Sequence, residues 1–97
     1  MFAIKYYDEI HFDKFRCGLV LDNGENNEAA RYIWVPDTPE SRNYLWENKC
    51  FDAKRIYIGF LNQWWPIYQF MNYYKNPKHN FDNLREQTMH EWLNKVH

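Results

Sequence analysis

The stretch Phe60-Leu61-Asn62-Gln63-Trp64-Trp65-Pro66-Ile67-Tyr68-Gln69-Phe70-Met71-Asn72-Tyr73-Tyr74 decides how the rest of the chain is read. At a helical period of about 100° per residue, Trp64, Ile67, Tyr68, Phe70, Met71, Tyr73 and Tyr74 cover more than half of the circumference. Gln69 and Asn72 mark the narrow polar side, and Trp65 projects between them. The pattern predicts a helix from Gln63 to Lys75, with Pro66 in the first turn, where its missing N–H removes no hydrogen bond. On that reading Trp65 faces water. A helix this apolar either packs on two sides or offers one of them to another molecule.

Working outward toward the N-terminus, Arg55–Phe60 alternates Ile56, Ile58 and Phe60 against Tyr57, the period of a strand. Before it, Thr38-Pro39-Glu40 reads as a helix start. A hydroxyl caps the end, proline sits in the first turn, and an acid lies at the positive end of the dipole. That helix is expected to run to about Asn48. Its apolar residues Tyr44, Leu45 and Trp46 share no single face.

Residues 2–7, 16–21 and 31–35 alternate as strands, the last stopped by Pro36. Asp22-Asn23-Gly24 is a turn signal, so the second and third strands form a hairpin with a polar tip at 22–28. Residues 8–15 read as a connection or a short helical turn. Toward the C-terminus, 76–80 is a turn. A last helix then starts at Phe81 or Asp82, with Phe81, Leu84, Met89, Trp92, Leu93 and Val96 as its apolar stripe and Arg85 inside the apolar arc.

The expected architecture is one α+β domain spanning residues 1–97, in the order β-β-β-α-β-α-α. A small antiparallel sheet of three to four strands packs against two to three helices, and the two C-terminal helices cover one face. Seven Phe, eight Tyr and five Trp in 97 residues supply a core without disulfides or metal. A mean hydropathy of -0.84 remains compatible with this, because Tyr and Trp bury large rings behind polar tips.

Net charge is -1, which gives no global pull toward nucleic acid or an anionic membrane. No run reaches the roughly 18 apolar residues of a membrane span, and the N-terminus lacks the basic start and long apolar core of a signal peptide. A cytoplasmic location and reduced Cys17 and Cys50 are the expectation.

No catalytic or metal-binding signature stands out. His79, His90 and His97 fall in turns or on polar faces. Glu86 and His90 are too few for a closed metal site. His11 with Cys17 or Cys50 makes a nucleophile and base only if the fold gathers them. Gly18, Gly24 and Gly59 are isolated, so no phosphate-cradling loop is present. The chain is read as a non-enzyme without cofactors.

Trp, Tyr and Arg are enriched at protein-binding hot spots, where they combine large apolar area with a directional polar group. The candidate binding residues are Trp65, Tyr73, Tyr44, Trp46 and Arg85. The expected function is recognition of another protein, as a small modulator or inhibitor, with homodimerisation through the aromatic helix as a further option. Small Asn- and Tyr-rich chains of this kind resemble phage or mobile-element products, including inhibitors of host defence nucleases. That likeness is one of composition, with no family motif behind it. The alternative is single-stranded nucleic-acid binding. In it the strand rings Tyr7, Tyr32, Trp34 and Tyr57 stack bases, beside a local patch from Lys54, Arg55, Lys75, Lys78 and Arg85.

Overall fold

A computed structural model describes residues 2–22 and 31–95. The chain runs β1 (Lys5–Tyr7), α1 (Phe12–Phe15), β2 (Gly18–Asp22), β3 (Tyr32–Pro36), α2 (Pro39–Glu47), β4 (Arg55–Ile58), β5 (Gln63–Pro66), α3 (Ile67–Tyr74) and α4 (Phe81–Lys95). Short 3-10 segments at Lys49–Asp52 and Gly59–Leu61 flank β4. The five strands form one antiparallel sheet in the order β1-β3-β2-β4-β5. The architecture is α+β, with five strands where three to four were expected. Residues 23–28 of the predicted hairpin tip lie outside the described residues. So do the side chains of Trp92 and Leu93, and residues 96–97.

The extra strand comes out of the aromatic stretch. Gln63–Pro66 is extended and pairs with β4, and the helix begins only at Ile67. Pro66 is the physical reason. Its ring crowds the residue before it out of helical geometry, so Trp65 is extended and Pro66 becomes the helix cap. Asn62, in left-handed backbone at φ 55°, closes the turn that folds β5 back onto β4. Ile67 then anchors the helix start by donating its N–H to the Lys54 carbonyl at 3.0 Å. Where one helix over residues 63–75 is expected, the chain forms a strand and then a helix.

Helix α2 starts as read. Thr38 Oγ1 accepts from the Ser41 N–H and Ser41 Oγ accepts from the Thr38 N–H, each at 3.2 Å, a reciprocal cap. The strand alternation sends Leu19, Leu21, Ile33, Val35, Ile56, Ile58 and Trp65 to one sheet face. Leu45 of α2, Phe70 of α3 and Phe81 of α4 cover them, so three helices share this face. Phe81 is the wedge, lying edge-on to Phe60, Trp65, Phe70, Tyr73 and Tyr74. Trp46 Nε1 donates to the Met71 carbonyl at 3.1 Å and ties α2 to α3.

Lys49, Cys50, Phe51 and Asp52 all hold positive φ, a left-handed turn built without glycine. The turn drives the Cys50 thiol inward to Met71 Sδ at 3.6 Å and sets Phe51 against Tyr44 at 5.7 Å. Burial pushes the Cys50 thiol up to about 12. Cys17 and Cys50 are both free, and Cys17 is exposed.

Candidate functional site

The other sheet face is aromatic and cationic. The strand register lays Lys5, Trp34, Val20, Tyr57 and Trp64 in one row across it, and Tyr7, Tyr32, Asp22, Arg55 and Pro66 in the next. This face has its own small core of Phe15, Val20, Tyr32 and Tyr57. Its cover is the segment around α1. Phe15 is wholly buried and edge-on to Tyr7 at 5.0 Å.

Gly59 lets α1 sit so close, and Gly18 makes room for a ring of β3. A side chain on Gly59 would bring Cβ within 2.4 Å of the Phe15 carbonyl oxygen and 2.5 Å of that of Gly18. One on Gly18 would meet the Trp34 indole at 2.3 Å. Backbone therefore packs on backbone where α1 meets β2 and the end of β4. The position of α1 on the sheet follows from that contact.

One helical turn is too short to roof the whole face. Between α1 and β5 lies a cleft of about 460 Å³ lined by Phe12, Asp13, Arg16, Tyr57, Asn62 and Trp64. Phe12 is 45% exposed and stands edge-on to Tyr57 at 5.3 Å. Beside the cleft the Arg55 guanidinium lies over the Trp64 ring at 4.0 Å, while its Nε donates to Asp22 Oδ2 at 2.7 Å. The Tyr57 hydroxyl donates to the Asn62 side chain. Burial raises the Tyr57 phenol above its ordinary value, with Arg16 pulling the other way, so it remains a donor.

The residues picked from the sequence fall elsewhere. Trp65 is 7% exposed, packed edge-on to Tyr73 at 5.4 Å and to Phe81. This corrects its expected exposure: the strand period turns its ring toward the helices, where a helical period would have turned it to water. Tyr73 is half-buried, stacked on His79 at 4.0 Å. Trp46 is half-buried under the Lys75 ammonium. Tyr44, 38% exposed, belongs to a separate group with Phe2 and Phe51. Arg85 places Nε 3.2 Å from Asp37 Oδ2.

Trp65 and Tyr73 thus meet inside the core, while Tyr44 clusters with other partners. Of the aromatic helix, Tyr68 is the ring left mostly in water. Phe12 and Trp64 escaped the sequence reading for different reasons. Phe12 lay in an ambiguous segment, and Trp64 was placed on a helix. The alternation Trp64-out, Trp65-in against Tyr57 and Ile56 was the available signal.

The residues weighed for catalysis do not assemble. His11 pairs with Glu9 at 3.3 Å and packs on Tyr7 and Phe15, while the Cys50 thiol is sealed in the helix-side core. Among the described residues no three His, Cys, Asp or Glu side chains gather to hold a metal. Nor is any helix there long and apolar enough to cross a membrane. No family model, no curated protein and no solved structure matches this chain.

Proposed function

We propose that the protein binds another protein through the Phe12–Trp64 cleft and acts as a non-enzymatic modulator or inhibitor of it. One observation carries the reading. A half-exposed phenylalanine and a tryptophan stacked under an arginine meet at one concavity of about 460 Å³, floored by the buried Tyr57 ring. Large rings around a partly dry pocket, with arginine at the rim, are the make-up of a binding hot spot. The compositional likeness to phage and mobile-element inhibitors makes a host defence nuclease one class of target. Two free cysteines suit a reducing compartment, and the cytoplasm is the proposed location.

The nucleic-acid reading has one observation in its favour. Tyr7, Tyr32, Trp34 and Tyr57 do share a face with Lys5 and Arg55. Burial weighs against it: Tyr57 is 1% exposed and Tyr32 is also enclosed, so neither ring offers a face to a base. Asp22 also claims Arg55, which weakens the pull on phosphate.

The test is Phe12→Ala, with Tyr68→Ala as a surface control, in affinity capture from the source cells followed by titration of the purified partner. Phe12→Ala is expected to keep a wild-type unfolding transition and to lose about 2 kcal/mol or more of binding. Wild-type affinity in Phe12→Ala would remove the cleft from the interface. Salt-sensitive binding of single-stranded oligonucleotides, lost in Phe12→Ala, would turn the assignment to nucleic acid.

A further inference from the structure

A second cavity, which shares Asp13 and Arg16 with the first, opens between the C-terminal end of α1 and α4. It measures about 370 Å³ and is lined by Asp13, Arg16, Cys17, Phe60, Arg85 and Met89. Its apolar part is the buried Phe60 ring and the thioether of Met89, a side chain that adapts to irregular shapes. Its polar part is two guanidinium groups, the Asp13 carboxylate and the Cys17 thiol.

Arg16 is exposed and forms no ion pair among the described residues. Arg85 meets Asp37 through Nε, which leaves the fork of its two Nη groups for another acceptor. Asp37 and Asp82 stand behind, both engaged by the enclosed Arg42. Among the described residues of the lining, the two guanidinium groups face one carboxylate, that of Asp13. A guanidinium fork matches the two oxygens of a carboxylate. A monoanion meets less repulsion from Asp13, and from Asp37 behind Arg85, than a phosphate dianion does.

We infer that this cavity is a binding site for a carboxylate carried on an apolar body, with Arg16 and Arg85 gripping the oxygens and Phe60 and Met89 receiving the apolar part. The volume is at the small end of ligand pockets, sized for one ring or branched chain. A free organic acid and the C-terminus of a peptide ending in an apolar residue carry the same chemistry. The inference goes beyond the protein-binding reading, since Phe12→Ala tests that one and removes no residue of this lining.

Cys17 in the lining supplies a reporter. With the Cys50 thiol buried and pushed up to about 12, iodoacetamide alkylates the exposed Cys17. The alkylation rate of the full chain is measured with phenylacetate, with phenethylamine and benzyl alcohol as controls, and with N-acetyl-Gly-Phe as the free acid and as the amide. At a phenylacetate concentration about tenfold above its Kd, alkylation is expected to slow by about the same factor. The amine, the alcohol and the peptide amide give no protection.

Arg16→Gln, at an exposed position, is expected to weaken protection by about tenfold. Met89→Glu, also on the surface, does so by placing a like charge in the cavity. Both variants are checked for native circular dichroism. Protection by the peptide acid and not by phenylacetate assigns the site to a chain terminus. Protection by phenylacetate as well assigns it to free acids. Equal protection by the amine, or none by either acid, overturns the inference.

Discussion

Arg42, wholly enclosed on α2, donates Nη2 to Asp82 in the first turn of α4, 40 residues further along the chain. Its Nη1 donates to Asp37, whose side chain is nearly as enclosed. The guanidinium also lies over the Phe81 ring at 4.9 Å. One cation therefore joins the loop before α2 to the start of the last helix, at the point where Phe81 wedges into the core.

Burial dominates the titration of Asp37 and raises its carboxyl above the ordinary 3.8, against the lowering pull of Arg42 and Arg85. A carboxyl with a raised folded-state value binds its proton more tightly in the native protein. The stability it contributes is fully present below pH 3.8 and is lost as pH rises through the folded value. Urea unfolding from acid to neutral pH is expected to show wild type losing stability relative to Asp37→Asn as pH rises. A gain in that direction would mean that the arginines outweigh burial. Arg42→Ala, which strands the buried carboxylate, is expected to cost about 3–5 kcal/mol at neutral pH.

Trp65→Ala is a core truncation. With Tyr73 and Phe81 edge-on to the indole, the loss is expected at about 3–5 kcal/mol, enough to unfold a marginal domain. Tyr68→Ala on the water side of α3 should stay within about 0.5 kcal/mol of wild type. Chemical unfolding of the two variants decides between them, and near-native stability in Trp65→Ala would contradict the packing described.

Gly59→Ala tests the backbone contact beneath α1. The added methyl meets carbonyl oxygens of Phe15 and Gly18 that cannot rotate away. A cost of about 1–3 kcal/mol is expected. Because the clash lies at the end of α1, the summed fluorescence of the five tryptophans, Trp64 among them, should report an altered cleft. Unchanged stability and fluorescence would show that α1 is free to shift.

Lys49→Gly is expected to stabilise. Its side chain is exposed and its φ is 52°, in the first position of the left-handed turn. An L-residue pays roughly 1–2 kcal/mol there, part of which glycine returns as extra freedom of the unfolded chain. A rise of about 1 kcal/mol in urea unfolding is the outcome to look for, and a loss would place the strain elsewhere.

The elements most legible in the sequence were those with a local cause. The Thr38 cap, the strands around Ile56 and Ile33, and the α+β class follow from capping chemistry and alternation. The reading failed at Gln63–Pro66, where a four-residue strand runs into a helix and two periods overlap in one aromatic run. The restriction that Pro66 imposes on Trp65 was present in the sequence, and the helical period of the following residues masked it. The site was less legible than the fold. Phe12 meets Tyr57 across 45 positions, and the strand order that brings β5 beside β4 is what places Trp64 beside them. No local pattern encodes those distances.

Adjacent indoles on opposite sides of β5 make the pairing with β4 unforgiving. A slip of one position would push the Arg55-capped ring under the helices and expel its neighbour into the groove beside α1, spoiling both at once. Lengthening the Gly59–Asn62 connection by a single residue offers that slip, so natural variation in this turn should come in steps that restore the same facing, or not at all.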